Sequence, residues 1–189
     1  MKLLVVGLTG ALGALVTKLL LERADRPVAL VASSAGRAVF EREVGPFATL
    51  AALAAETWAD DDLFAPYASG SVATAGMVVL PCSANTLGKV AFGLADSLIL
   101  RAAHCRLKER ERLVLCVRET PWTLATARAA VAATESGAVV MPVSPPFYMA
   151  RRGVPFSMEE LLGQYVDRVL ALFDRPLPTG WADVREAEG

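Results

Sequence analysis

Five short apolar runs, separated by longer segments of helical composition, constrain the fold of this 189-residue chain most strongly. The runs are rich in valine and leucine and are continuously apolar, which is typical of strands buried on both faces of a sheet. We predict strands at residues 2–7, 28–33, 76–81, 112–117 and 138–142. We predict helices between and after them, at about residues 12–24, 34–44, 85–95, 122–135 and 157–173.

Repetition of strand, helix and strand predicts an α/β fold: three layers, with a mostly parallel sheet and helices on both faces. The chain length suits a single domain over residues 1–189. From about residue 175 the sequence is interrupted by proline and glycine and then becomes charged, so we expect a C-terminal tail or an arm that contacts another subunit. Loops at the carboxyl ends of the strands should form the ligand site.

The composition excludes several classes of protein. A net charge of −1 without a basic tract argues against nucleic-acid binding. Apolar runs are interrupted within about a dozen residues, short of the ~20 that a membrane-spanning helix needs. The hydrophobic content of 54% therefore suggests buried strands and contacts within a homo-oligomer. The N-terminus does not resemble a signal peptide, and three cysteines without metal-ligand spacing suggest reduced thiols, a cytoplasmic location and no metal site.

The first candidate site is residues 7–13, GLTGALG, between the first strand and the first helix. Its glycines are three residues apart, unlike the G-x-G-x-x-G of dinucleotide-binding loops, and Ser33 and Ser34 stand where a ribose-binding carboxylate is expected. A nicotinamide dinucleotide is therefore disfavoured. The loop is either a tight turn in which glycine permits positive φ or one wall of a cofactor site, and Leu12 places an apolar side chain in it.

Two further candidates follow the third and fourth predicted strands. Ser83, Asn85 and Thr86 lie at a helix start, where hydroxyl, amide and backbone N–H groups suit a phosphate or a ring carbonyl, although serine there is also an ordinary helix cap. Arg118 and Glu119 place a cation beside a carboxylate, which could bind phosphate and move a proton. The charged run at 108–112 is expected to be a solvated helix end or turn.

Two remaining features are weaker candidates. Tyr148 could donate its hydroxyl to an anion, but from the residues alone the segment 144–153 is better interpreted as a surface loop. His104, the single histidine, is better interpreted as a packed or exposed side chain than as a catalytic group.

Together, several segments resemble the UbiX family of flavin prenyltransferases, in the right order over nearly the whole chain. They are SGS (69–71), GMVVLPCSANTL (76–87), RAAHCRLKER (101–110), LVLCVRETP (113–121), GAVVMPVSPPFY (137–148) and DRVL (167–170). The resemblance implies a flavodoxin-like or Rossmann-like domain that binds reduced FMN and transfers a dimethylallyl group to it from dimethylallyl monophosphate, at N5 and C6, without a metal. It also implies prenylated FMN as a product for a UbiD-type decarboxylase, and a homododecamer with sites at subunit interfaces.

The resemblance implies roles for individual residues. Those matching flavin-binding positions are Gly10, Ala11, Leu12, Ser33, Ser83, Ala84, Asn85, Thr86 and Arg118. Those matching catalytic positions are the carboxylates Glu43 and Glu119 and the phosphate-side cations Arg101 and Lys108. Tyr148 and Arg168, with Lys108, match residues that bind dimethylallyl phosphate, the first two from a neighbouring subunit.

The chain departs from the family pattern at three places: Leu12 replaces a serine, His104 replaces an aspartate, and the run 108–112 replaces a shorter basic motif before proline. The sequence SANT at 83–86 with Lys89 is similar to flavin-dependent cysteine decarboxylases, but their catalytic histidine is absent from residues 1–80. The alternatives are therefore an FMN-binding or storage homologue without prenyl transfer and, less favoured, a flavin-dependent decarboxylase.

Overall fold

A computed structural model describes residues 1–147 and 155–178, so Tyr148 and the end of the predicted tail lie outside the described residues. The strands in this part of the chain are β1 (Leu4–Leu8), β2 (Val28–Ala32), β3 (Glu56–Ala59), β4 (Gly76–Cys82), β5 (Leu113–Val117) and β6 (Val139–Val140). The helices are α1 (Leu15–Arg23), α2 (Ser34–Glu43), α3 (Phe47–Ala51), α4 (Ala84–Ala91), α5 (Leu98–Lys108), α6 (Leu124–Glu135) and α7 (Met158–Ala171).

The six strands form one sheet in the order β3-β2-β1-β4-β5-β6, and every strand pair is parallel. This confirms the predicted α/β architecture. The chain order reverses between β1 and β4, whose residues pair from Leu4 with Gly76 to Gly7 with Val79. Loops leaving the carboxyl ends of these two strands turn to opposite faces of the sheet, which opens a crevice between them.

Two apolar layers cover the two faces of the sheet. Leu4, Val6 and Leu8 of β1 face a core that includes residues of α1, α2, α3 and α7. Val5 faces the opposite core, with residues of α4, α5 and α6. Strands β1, β4 and β5 are buried at every residue, as the continuously apolar runs predicted.

The sequence interpretation missed β3, α3 and α5. Strand β3 (ETWA) is a short edge strand whose residues alternate between half-buried and exposed, so it lacks a continuous apolar run. Helix α5 begins after Ser97, whose hydroxyl accepts the N–H of Leu100, and its arginines and histidine obscure its apolar face. Helix α4 ends at Ala91, not near residue 95, because Gly93 turns the chain with φ +81°.

Candidate functional site

Thr9 joins the two loops that border the crevice. Its hydroxyl donates to the carbonyl oxygen of Pro81 at 2.7 Å and accepts the N–H of Ser83 at 3.0 Å. The side chain is buried, so water does not compete for these bonds. The glycine loop after β1 and the loop after β4 are therefore held in a fixed relation. Sequence reasoning missed Thr9 because its partners lie more than seventy residues away.

The start of α4 presents unpaired donors at the crevice. The Ser83 hydroxyl accepts the N–H of Thr86 at 3.1 Å and lies 2.9 Å from the Thr86 hydroxyl. The N–H groups of Ala84 and Asn85 open the helix, where no carbonyl one turn earlier can accept them. Such N–H groups, together with the positive end of the helix dipole, favour an anion.

The opposite wall of the crevice is built from closely packed backbone. Ser33 caps α2 by accepting the N–H of Gly36 at 3.0 Å, and its own N–H donates to the carbonyl oxygen of Leu8. A Cβ on Gly10 would lie 2.7 Å from the Cβ of Ala35. Glycine at position 10 therefore allows the loop after β1 to lie directly against α2.

Glu43 reaches back from the end of α2 to the start of α1. Its carboxylate accepts the N–H of Gly13 at 2.8 Å and the N–H of Ala14 at 2.8 Å. These donors come directly before α1, so a carboxylate already lies at the positive end of this helix. Leu12 lies beside them and is 48% exposed, and Ala11 is buried.

A cleft of about 440 Å³ lies between these loops and the start of α5. It brings together five of the predicted residues, namely Gly10, Ser33, Ser83, Asn85 and Thr86. Lys89 and Asp96 form an ion pair of 2.7 Å at its border, and the lysine lowers the pKa of Asp96. Burial raises the pKa of Asp60, whose carboxylate accepts the N–H of Ile99 at 2.7 Å and so ties β3 to α5.

Arg118 and Glu119 lie at the same edge of the sheet. The N–H of Arg118 donates to the carbonyl oxygen of Cys82 at 3.0 Å, which places half-buried Arg118 beside the loop that leads to α4. Glu119 is exposed, and its carboxylate accepts the N–H of Thr120. The predicted cation and carboxylate thus follow β5 directly, one strand away from the start of α4.

The other predicted cations lie away from the cleft. Arg101 donates to the carbonyl oxygen of Ala68 at 3.0 Å, and Lys108 pairs with Glu109 at the end of α5. Arg168 is exposed on α7, which packs on the opposite face of the sheet from α5. One chain therefore does not bring Arg168 and Lys108 together.

The residues at the crevice fit the phosphate and ribityl parts of a flavin mononucleotide. Free N–H groups at α4 suit the phosphate, and the hydroxyls of Ser33, Ser83 and Thr86 suit the polar chain. The close contact between Gly10 and α2 leaves backbone rather than side chain at the wall.

Residues 1–147 and 155–178 contain no group of three or more histidine, cysteine, aspartate or glutamate side chains arranged to hold a metal ion. Within the same ranges, no helix has the length and apolar character needed to cross a membrane. The thiols of Cys82, Cys105 and Cys116 are free and buried.

Comparison with known proteins identifies the family. The sequence model of the Flavoprotein family matches residues 1–145. The flavin prenyltransferase UbiX of Deinococcus radiodurans is 47% identical over 189 residues, covering 98% of this chain and 94% of the relative.

Two solved structures are similar along nearly their whole length. A UbiX crystallised with FMN and dimethylallyl pyrophosphate superimposes with a TM-score of 0.87 at 38% identity, covering 95% of this chain and 98% of that one. A dodecameric FMN-dependent UbiX-like decarboxylase from Escherichia coli O157:H7 gives a TM-score of 0.84 at 33% identity, covering 94% and 98%. The chain, with its hydroxyl-lined crevice between β1 and β4, belongs to the UbiX family of flavin prenyltransferases.

Proposed function

We propose that this protein is a flavin prenyltransferase that transfers the dimethylallyl group of dimethylallyl monophosphate to N5 and C6 of reduced FMN. The observation that carries the proposal is the convergence on one cleft of Gly10, Ser33, Ser83, Asn85 and Thr86. This cleft lies in a chain that superimposes with a TM-score of 0.87 on a relative crystallised with FMN and dimethylallyl pyrophosphate.

The phosphate of FMN is proposed to bind at the start of α4 rather than at the start of α1. Both helices begin at the crevice, but Glu43 already accepts the N–H groups of Gly13 and Ala14. A phosphate there would meet a carboxylate, and like charges at short distance repel. The N–H groups of Ala84 and Asn85 and the hydroxyl of Ser83 bind the anion without that repulsion.

When bound, reduced FMN supplies the nucleophilic N5 and C6 that receive the dimethylallyl group, and phosphate leaves with the electron pair of the C–O bond. The protein stabilises the charge that develops on the leaving phosphate through cations and hydroxyl donors. We assign this role to Arg101, Lys108, Arg168 and Tyr148, and the flavin-side contact to Arg118. The N5 proton would leave with the phosphate, and ring closure would move the C6 proton to the central carbon of the prenyl double bond. We assign the transfer of the C6 proton to Glu119 or the departing phosphate, and Glu43 is the second carboxylate of the site.

A homo-oligomer, specifically a dodecamer, is proposed to complete the site. Arg168 and Lys108 lie on opposite faces of one chain, so a neighbouring subunit must contribute one of them. Apolar side chains are available for subunit contacts: Phe64 is fully exposed, and Phe92 and Leu124 are more than 60% exposed. The relative from E. coli O157:H7 is described as dodecameric.

We further propose a cytoplasmic location, consistent with three free thiols. We also propose a UbiD-type decarboxylase as the recipient of the product.

The test is anaerobic incubation of the protein with reduced FMN and dimethylallyl monophosphate, followed by mass spectrometry of the released flavin. Flavin carrying one added prenyl unit is expected from the wild type and from Lys18→Met, a surface variant of α1. Bound but unmodified flavin would refute prenyl transfer and indicate a storage protein. Release of carbon dioxide from a peptide with a C-terminal cysteine would instead indicate a decarboxylase.

A further inference from the structure

Side chains of α5 hold the segment 68–74, here called the 68–74 loop, through its backbone. Arg101 donates to the carbonyl oxygen of Ala68 at 3.0 Å. Arg106 donates to the carbonyl oxygens of Ser69 at 3.3 Å and Val72 at 3.2 Å. It also donates to the hydroxyl of Thr74 at 2.6 Å. One guanidinium therefore fixes the loop at three separate residues.

Glu111 compensates the buried charge of Arg106. The arginine side chain is 0% exposed, and its Nη1 lies 2.8 Å from Oε2 of Glu111. The same carboxylate accepts the hydroxyl of Thr74 at 2.8 Å. A fully buried guanidinium is stable only when it is paired and hydrogen-bonded. Arg106 and Glu111 thus form one unit, here called the Arg106–Glu111 clasp.

The backbone after α5 is folded so that the clasp can close. Arg110 adopts φ +60°, which ends the helix and reverses the chain. The N–H of Glu111 then donates to the carbonyl oxygen of Arg106 at 2.9 Å. Lys108, the last residue of α5, lies between the two halves of the clasp.

The 68–74 loop is in direct contact with Lys108. A Cβ on Gly70 would overlap both the Lys108 ammonium and the Glu109 carboxylate. The backbone at Gly70 therefore lies against the Lys108–Glu109 ion pair. The side chain of Lys108 is 53% exposed, so contact with the loop restricts the rotamers of a side chain that is otherwise largely free.

We propose that the Arg106–Glu111 clasp positions the Lys108 ammonium for the phosphate of the prenyl donor. This inference rests on the proposed function, in which Lys108 contacts that phosphate. Arg106 is buried and Glu111 is mostly buried, so neither touches substrate. Both act through the 68–74 loop and are positioning residues. The stabilisation that the Lys108 ammonium gives to a phosphate falls with the distance between the two charges. A displacement of a catalytic group by ~1 Å can lower the reaction rate by up to roughly 100-fold.

The main test is a double-mutant cycle of Arg106→Lys and Lys108→Met, measured with full-length, FMN-loaded protein. Arg106→Lys should raise the KM for dimethylallyl monophosphate roughly tenfold and leave the Kd for FMN unchanged, because lysine cannot bridge three acceptors. In the Lys108→Met background, Arg106→Lys should have no further effect on this KM. Effects that multiply in the double variant would overturn the proposal, as would a parallel rise in the Kd for FMN.

A second variant leaves the buried charge intact, in case Arg106→Lys fails to fold. Gly70→Ala should displace the ammonium of Lys108 and raise the same KM, with thermal unfolding close to the wild type. Lys18→Met removes a partly exposed lysine that pairs with Glu22 on α1 and serves as the matched control. An unchanged KM in Gly70→Ala would overturn the proposal.

The same cycle measured as the Kd for dimethylallyl monophosphate separates this proposal from the proposed function. A non-additive cycle in Kd without prenylated flavin would support the clasp and refute prenyl transfer. Prenylated flavin with an additive cycle would refute the clasp alone. Absence of any binding of dimethylallyl monophosphate to the wild type would refute both.

Discussion

Replacing Glu43 by alanine removes the acceptor of two backbone N–H groups at the start of α1. Both bonds measure 2.8 Å, and the acceptor is charged and lies at the positive end of the helix dipole. Loss of a helix cap costs about 1 kcal/mol, and loss of the dipole interaction adds roughly 0.3–1 kcal/mol at an exposed site. Because Glu43 is exposed, water replaces part of the lost bonding, and we expect a loss of about 1–2 kcal/mol in the free energy of unfolding.

The assay is denaturant and thermal unfolding at one fixed protein concentration, since subunit association also contributes to stability. A loss of this size corresponds to a fall in Tm of roughly 2–8 °C for a chain of this length. Glu43→Gln keeps an acceptor without the charge and should lose about half as much. Glu41→Ala is the matched control on the same helix, because it removes only an exposed pair with Arg37. Equal stability of the Glu43→Ala and Glu41→Ala variants would refute the capping role.

Four further predictions concern single positions. Gly10→Ala should weaken FMN binding, since its Cβ would lie 2.7 Å from a side chain of α2. Gly88→Ala is the control: a Cβ there has nothing within 4 Å, so this variant should bind FMN normally and gain about 0.5–1 kcal/mol in the free energy of unfolding. Leu12→Ser should raise prenyl-transfer turnover if the missing hydroxyl limits the reaction; unchanged turnover would show that it is dispensable. Arg110→Gly should raise stability by up to about 1 kcal/mol in urea unfolding by relieving φ +60°. Burial raises the pKa of Cys116 from 9.0 to about 12, so the unfolded chain loses this thiol proton at a lower pH than the folded protein does. The free energy of unfolding should therefore fall between about pH 9 and 12, and the fall should be smaller in the Cys116→Ala variant.

The sequence predicted those parts of the fold whose signal is local. Strands β1, β4 and β5 are buried on both faces, so each appears as an unbroken apolar run. Ser83 could be placed at the ligand site from the strand pattern, because carboxyl ends of parallel strands share one edge of the sheet. Ser33 was assigned to the same site through the resemblance to the UbiX family. Strand β3 has no such signal, since an edge strand is half exposed and carries polar residues.

Contacts between distant residues could not be predicted in this way. The charged run after α5 looked like a solvated turn, and its exposed residues fit that description. Arg106, however, is fully buried because its acceptors come from the 68–74 loop, more than thirty residues earlier. Glu111, one of the departures from the family pattern, is the carboxylate that neutralises it. The contacts of Thr9 and Glu43 could not be predicted for the same reason, since the backbone groups that they bind lie about thirty or more residues away in sequence.

The contact between Glu43 and α1 also accounts for an apolar residue in the glycine loop. A loop that cradles a phosphate needs polar side chains or free N–H groups, and Leu12 contributes no polar side chain. In this structure the N–H groups that follow Leu12 are already bonded to the Glu43 carboxylate. Free donors of the crevice lie at the start of α4, across the Thr9 bridge. We therefore expect FMN to bind its phosphate without a serine at position 12, and the turnover of the Leu12→Ser variant tests whether that hydroxyl acts at the reacting end of the site.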